Sequence, residues 1–493
     1  MATIMAKRLG HWLDIKIKLT EAQLGFRRGR STTEGIMVLK TLVGSGLKVK
    51  GGKLYTAFID FKAAFDKVNR EKLWGKMRKM EVGEKFLRMV KLIYENTTSK
   101  VIAGEQMTES FRTGLGVRQG CPLSPILFNI YINDLEELLR RKGVGGSAIG
   151  HKRGSKVYAK LYADDAALVA EEGKDLQRML KTTEIWSDEN KMELSTEKTK
   201  IMVFRNGGRR RKEEWRYKGE LLQVVNNFKY LGVWFSTRNQ FNTHTRNLAG
   251  KATQLVNKVW GETRRAKVED LQKQLFLMET TVKTVAMNGV EIWGWKRWEN
   301  IEKLQGRYVK SCMGVARNTP NYIWKLESGK RSLEVETKRR ALRYLLKLNK
   351  MNDDRLAKKC MKEELRGISN GNPTAWGRMI QQTMKEAGDG ELLEMLRTDT
   401  EEGRWLERMT EITEIWEQQD TQADWEKVDR FSFCNYYLDI KEDTELQDYW
   451  GDSELKIWQK SGWARWRCGN VTKEGKKGFA DQQCRACKRA GNT

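Results

Sequence analysis

Proline is nearly absent, with 4 residues in 493, so the chain is neither a proline-rich disordered protein nor a collagen-like one. No stretch of 18 apolar residues occurs, which excludes a transmembrane helix. Near the start, Lys7, Arg8 and His11 stand where a secretory signal needs an apolar core. Cysteine is sparse: Cys121, Cys312, Cys360, Cys434, Cys468, Cys484 and Cys487 are scattered except near the end. That pattern fits a reducing compartment rather than a disulfide framework. These absences predict an intracellular protein of the nucleus or cytoplasm, neither secreted nor membrane-held. Two nucleotide-binding signatures are missing as well. Gly114, Gly116 and Gly120 have the wrong spacing for a dinucleotide loop, and no GxxxxGK[ST] occurs.

What is present is charge. Lys and Arg number 92 against 65 Asp and Glu, a net of +27. Residues 371–460 hold 22 acidic and 10 basic side chains, and residues 461–493 hold 8 basic and 2 acidic. The first 370 residues therefore carry +33. A region that basic favours a polyanion as partner, nucleic acid first.

Residues 1–50 read as helical, interrupted by Gly25 and Gly29 and by the basic cluster GFRRGRST at 25–32. KLYTAFIDF, over 53–61, has the branched and aromatic content of a strand and follows a Gly51-Gly52 turn signal. Residues 63–80 are predicted as an amphipathic helix with Phe65, Val68 and Leu73 on its apolar side, and Asp66 as the cap of the helical part that starts at Lys67. Further helices are expected over 84–97, 124–141 and 174–190, and a strand over 199–204. A flexible link is expected over 143–154 and a basic loop over 206–212. VYAKLYADDAALVAEE, from Val157, reads as a hairpin around Asp164-Asp165, and NNFKYLGVWFS, from Asn226, as a second hairpin. From 243 to near 450 helical patterns dominate. The fold class is α+β up to about residue 236 and nearly all α beyond it.

Three carboxylates stand out. Asp60 ends an apolar strand, where a carboxylate faces a desolvation cost unless it borders a site. Asp164 and Asp165 sit at a hairpin tip between apolar flanks, and like charges so close repel unless a cation neutralises them. Three such groups on neighbouring strands suit two Mg²⁺ ions about 4 Å apart for in-line phosphoryl or nucleotidyl transfer. Taken alone, Asp-Asp is also a common turn signal.

In order, GFRRGRST, FIDFKAAFDKV, RQGCPLSPILFNIYINDL, YADDAALVAE, EKTKIMVF and FKYLG resemble the motif series of a reverse transcriptase. Their wording is most similar to the non-LTR (LINE-type) retrotransposon enzymes, over residues 5–236. The resemblance implies a right-hand polymerase. Residues 1–236 would hold incomplete fingers and a palm with an antiparallel sheet, and 237–350 a helical thumb and connection. An acidic helical region over 351–460 and a basic, Cys-containing tail over 461–493 would follow.

The same resemblance assigns roles. Asp60, Asp164 and Asp165 match the metal carboxylates for two Mg²⁺, and Lys198 matches the lysine that protonates the leaving pyrophosphate. Phe61 and Phe65 fall among substrate-binding positions, with Phe65 as the bulky gate beneath the incoming sugar that selects dNTPs. Gln119 and Gly120 match the loop against the nascent base pair. Arg27, Arg28 and Arg30 match the fingers motif at triphosphate and template. Phe228, Lys229, Tyr230, Leu231 and Gly232 match the primer grip. Ser195 departs from the usual Asn of its motif. The implied partners are an RNA template, a DNA primer or target DNA, and dNTPs.

Beyond these motifs, Trp293, Trp295 and Trp298 are expected mainly as packed helix residues, with base stacking as the alternative. Cys468, Cys484 and Cys487 resemble a zinc knuckle one ligand short of a tetrahedral site, so reduced free thiols are expected there. The start inside the fingers and the shortened knuckle suggest a piece of a larger element protein. An RNA-directed DNA polymerase is the leading expectation. A nucleic-acid-binding relic without activity, or a structural or splicing helper, are the alternatives.

Overall fold

A computed structural model describes residues 1–150, 156–208, 213–398, 402–430 and 436–470. The chain divides into two compact units, Met1–Phe241 with Leu348–Arg378, and Asn242–Lys347 with Met379–Thr493. Among the described residues no helix is long and apolar enough to cross a membrane.

The first unit is built on a five-stranded sheet. Its strands are β1 (Lys53–Ile59), β2 (Ala159–Tyr162), β3 (Asp165–Ala170), β4 (Lys200–Arg205) and β5 (Gln223–Val224), in the order β5-β4-β1-β3-β2. The central β1 pairs antiparallel on both sides, Ala57 facing Leu168 of β3 and Ile201 of β4. The sheet is mixed rather than antiparallel throughout, because β5 joins β4 in parallel. A hairpin of β6 (Asn227–Tyr230) and β7 (Val233–Ser236) forms a separate ladder.

Six helices accompany these strands: α1 (Ala2–Ile15), α2 (Thr32–Gly46), α3 (Arg70–Lys79), α4 (Glu84–Glu95), α5 (Ser124–Lys142) and α6 (Gly173–Glu189). Tyr55, Ala57 and Ile59 of β1 share one core with Leu127, Phe128 and Tyr131 of α5 and Leu176 and Leu180 of α6. Phe58, between them, is equally buried and stacks on Phe228 of β6, with ring centroids 4.2 Å apart. Burial on both faces is why β1 reads as a continuous apolar run instead of an alternating one.

The helix expected over 63–80 begins only at Arg70. Ala63 adopts φ +46, outside helical space, and Asn69 caps α3 by accepting from the Lys72 amide at 3.0 Å. Residues 62–68 are thus a turn, and Asp66 does not cap. Within the link expected over 143–154, Ser147–Ala148 forms a strand paired with Lys156–Val157, and residues 151–154 lie outside the described residues. Of the basic loop at 206–212, residues 209–212 lie outside the described residues.

The segment 348–378 belongs to this first unit, so the acidic stretch taken as one region over 351–460 is divided at residue 378. Its helix Leu356–Ser369 packs on α2. Buried Lys40 of α2 lies over the Trp376 ring at 4.9 Å and beside Glu364. The second unit is helical among its described residues, with α7 (Asn242–Arg265) packed on the helix Glu299–Met313. Trp293 and Trp295 are fully buried there, as packed residues. Cys468 is buried, while Cys434, Cys484 and Cys487 lie outside the described residues.

Candidate active site

Asp60 follows β1 directly, at the end where the strand leaves the sheet. Its backbone is clasped from the 190–199 turn: the Ser195 amide donates to the Asp60 carbonyl at 2.8 Å, and the Asp60 amide donates to Thr199 Oγ1 at 3.2 Å. Next to it Phe61 bridges Leu194 and packs on Trp186 at 5.9 Å. Phe61 is therefore buried, a wall of the site and not a surface open to substrate. Ser195, where the motif usually has Asn, accepts from the Lys198 amide at 3.3 Å through its hydroxyl. That bond shapes the turn carrying Lys198.

β2 and β3 form the second support. Tyr162 pairs with Asp165, so Ala163 and Asp164 are the two residues of the turn, with Ala163 at φ +57. Asp164 and Asp165 are both exposed. Burial of its surroundings, then the charges of Asp164 and Asp60, push Asp165 up to about 6. Asp60 is also raised, by burial first and by Asp164, while Lys198 opposes the shift. Lys198 Nζ stands 3.9 Å from Asp60 Oδ2, on a side chain that is 72% exposed.

The carboxylates thus sense one another across adjacent strands, with the exposed Lys198 opposing the shift at Asp60. Such a donor set fits a hard divalent cation, which takes oxygen ligands and removes the repulsion. Among the described residues, however, no group of three ligating side chains converges as a ready-made metal cage.

The basic cluster is fastened to this hairpin by backbone. Leu24 and Ala22 exchange hydrogen bonds with Leu161 of β2 at 2.9 Å each, and Gly25 packs against the turn. A Cβ at Gly25 would lie 2.4 Å from the Ala163 nitrogen, so only glycine permits this approach. Arg27 pairs with Asp14 at 3.0 Å and donates to the Thr20 and Gln23 carbonyls. Arg30 pairs with Glu21 at 2.5 Å. Both guanidiniums are nearly buried and committed to holding the loop, and Arg28 is the one of the three on the surface.

A partner unseen in the sequence comes from the first unit's second segment. Arg355 donates to the Gly29 carbonyl at 3.0 Å and pairs with the buried Glu34 of α2. Lys160 of β2, fully buried, donates to the Glu21 carbonyl at 3.0 Å, and burial pushes it down to about 8.

Phe65 lies in the 62–68 turn, half-buried, stacked on Phe128 at 4.8 Å and edge-on to Phe26 at 6.4 Å. Gln119 donates to both oxygens of Asp66 at 3.1 Å, and Gly120 is exposed at φ +80. In the β6–β7 hairpin, Leu231 and Gly232 both have positive φ, as a tight two-residue turn requires. Lys229 is exposed. Tyr230 is buried, and its hydroxyl finds no hydrogen-bond partner among the described residues. Burial first and the charge of Asp165 second push its phenol up.

Residues 1–235 match the family described as reverse transcriptase (RNA-dependent DNA polymerase). A Pol polyprotein from the type-1 retrotransposable element R2 of Nasonia vitripennis is 27% identical over 50% of this chain and 24% of its own length. The R2 counterpart of Popillia japonica is 27% identical over 64% of this chain and 44% of its own. A probable RNA-directed DNA polymerase from transposon BS of Drosophila melanogaster is 23% identical over 65% of this chain and 35% of its own. The chain spans less than half the length of each of these relatives. Among solved structures, telomerase from Candida albicans aligns over 78% of this chain and 58% of its own, at 11% identity and a TM-score of 0.37. That likeness is too slight to argue from. The region holding Asp60, Asp164 and Asp165 is thus the part of the chain that matches the reverse transcriptase family, and the relatives similar to it are proteins of R2 and other mobile elements.

Proposed function

We propose that this chain is an RNA-directed DNA polymerase, extending a DNA primer on an RNA template by nucleotidyl transfer from dNTPs. The observation that carries the reading is the shared carboxylate charge at the ends of β1 and β3, where Asp60 and Asp165 are both held above their ordinary range. Asp60, Asp164 and Asp165 would hold two Mg²⁺ ions. Bound there, the ions would lower the pKa of the primer 3′-hydroxyl and stabilise the charge of the departing pyrophosphate.

The remaining work falls to residues of the chain. Lys198, close to Asp60 and open to solvent, donates a proton to the pyrophosphate oxygen as it leaves. Arg28 offers its guanidinium to the triphosphate from a loop that Arg27 and Arg30 keep rigid. Gln119, oriented by Asp66, and Gly120 lie along the nascent base pair. Phe65, braced by Phe128, sits beneath the incoming sugar and leaves no room for a 2′-hydroxyl. Phe228, stacked on Phe58, ties the primer-holding hairpin to the strand that carries Asp60. Residues 1–236 would then supply fingers and palm, and the helical stretch 237–350 the thumb and connection.

Primer extension on an RNA template with dNTPs and Mg²⁺ tests this, beside the double variant Asp164→Ala/Asp165→Ala. Extension by the wild type and none by the variant is the expected result. Absence of extension from both, with duplex binding intact, would leave a nucleic-acid-binding relic.

A further inference from the structure

The second unit contains a cleft of about 360 Å³ between α7, the helix Glu299–Met313 and the start of the helix Asn321–Ser328. Four cations line it, Lys303, Arg307, Lys310 and Arg317, and Trp260 forms part of its wall. No carboxylate is among its lining residues. Among the described residues none of the four cations has an ion-pair partner. Arg307 donates instead to Asn257 Oδ1 at 3.2 Å, and Lys310 to the Arg317 carbonyl at 3.2 Å. Arg264 adds a further cation, lying over the Trp260 ring at 5.9 Å.

Other cations of this unit have carboxylate partners, Arg331 with Glu417 and Arg340 with Glu291, whereas the four lining the cleft gather where no carboxylate lines the wall. Lys303, Arg307 and Lys310 recur at intervals of four and three residues, which puts them on one helix face about 5–6 Å apart. A row of cations suits a repeating phosphate backbone better than a single anion. The cleft has the volume of a small-molecule site, so it admits a nucleotide-sized group and not the width of a double helix. A duplex also keeps its bases stacked inward and offers no free ring face to Trp260.

We infer that this cleft is a binding site for single-stranded nucleic acid, with phosphates on Lys303, Arg307 and Arg317 and one base against Trp260. The inference rests on the charge and shape of the second unit and is independent of the carboxylates of the first. RNA and DNA single strands share the chemistry, and the experiment separates them.

The test is fluorescence anisotropy of the full chain with labelled oligo(U) RNA, oligo(dT) DNA and an RNA–DNA duplex across a salt series. Three variants are compared with the wild type: Lys303→Gln/Arg307→Gln/Arg317→Gln, Trp260→Ala and Trp260→Phe. A control, Arg140→Gln/Arg141→Gln/Lys142→Gln, removes equal charge from exposed positions elsewhere. The cleft triple variant is expected to weaken single-strand binding at least about tenfold and to reduce the salt slope by about 2, more than the control does. Trp260→Ala is expected to lose about tenfold, with Trp260→Phe recovering most of it. The preferred strand, RNA or DNA, is the one whose affinity falls further.

Equal losses in the cleft and control variants would overturn the site. An equal loss of duplex binding would make it a duplex grip instead. Displacement of the oligonucleotide by inorganic phosphate at matched ionic strength, with no effect of Trp260→Ala, would reduce it to a simple anion site. Primer extension on a saturating template keeps failure here distinct from failure of the polymerase reading, since the catalytic aspartates are untouched.

Discussion

Where β1 and the β2–β3 hairpin end, three carboxylates gather with the exposed Lys198 beside Asp60. In the helical unit, four cations line a cleft that no carboxylate enters. Elsewhere the chain matches its buried charges, as with Lys325 between Asp420 and Asp424. Unmatched charge costs stability in a folded protein. The two proposed sites are thus local concentrations of like charge, one of each sign. The contrast also separates their chemistry. Carboxylates on adjacent strands suit a small hard cation, whereas cations spaced along a helix suit an extended anion.

The comparison can be broken most severely at the carboxylates. Asp165→Asn should reduce primer extension by at least about a thousandfold. It should also raise the melting temperature in the absence of divalent metal, because a repelled charge is gone. Mg²⁺ or Mn²⁺ should raise the melting temperature of the wild type and barely move that of Asp165→Asn. Equal responses of the two proteins would mean that these aspartates do not hold the ion.

A smaller effect is expected where charge in the first unit is matched. Arg355→Ala strands the buried Glu34 carboxylate and should cost about 3 kcal/mol in a urea titration. The double variant Arg355→Met/Glu34→Leu should recover most of that loss, since an apolar pair leaves no buried charge. No recovery would place the contribution of Arg355 at the Gly29 carbonyl instead.

The smallest effect is a pH dependence in the second unit. Glu302 accepts from the amides of Leu333 and Glu334, yet burial outweighs these and the pull of Arg297 and pushes it from 4.5 up to about 7. The folded chain therefore holds a proton there that the unfolded chain releases near 4.5. The associated stability is complete below that value and is lost as pH rises through about 7. Melting temperatures at pH 5 and pH 8 should differ by a few degrees more in the wild type than in Glu302→Gln. An identical difference in both would assign the pH dependence to other groups.

The strands carrying Asp60 and the Asp164–Asp165 turn were legible because aromatic and branched runs, broken by paired acids, leave few alternatives to a sheet edge. The 63–80 stretch was misread because its apolar spacing runs on through Phe65 and Val68, while one left-handed residue, Ala63, keeps the first seven positions out of the helix. Arg27, Arg28 and Arg30 look equivalent in the sequence. Only the placement of Asp14 and Glu21 shows which are struts. The Arg355–Glu34 pair spans 321 residues and carries no local signal. The cleft at Trp260 was equally invisible, because its cations have ordinary helical spacing and lie more than forty residues from the tryptophan they adjoin.

The return of residues 348–378 to the first unit has a consequence for synthesis. Ile36, Met37, Leu39 and Val43 of α2 are buried in the finished protein, and the helix Leu356–Ser369 is one of the elements packed on α2. On the ribosome that helix follows Phe241 by roughly a hundred residues, or about 5–20 s at ordinary translation rates. During that interval the nascent first unit displays part of an apolar helix with nothing over it. Its folding is tied to the tempo of translation, and a slow stretch of codons within 242–347 would lengthen the time it spends open to aggregation or in need of a chaperone.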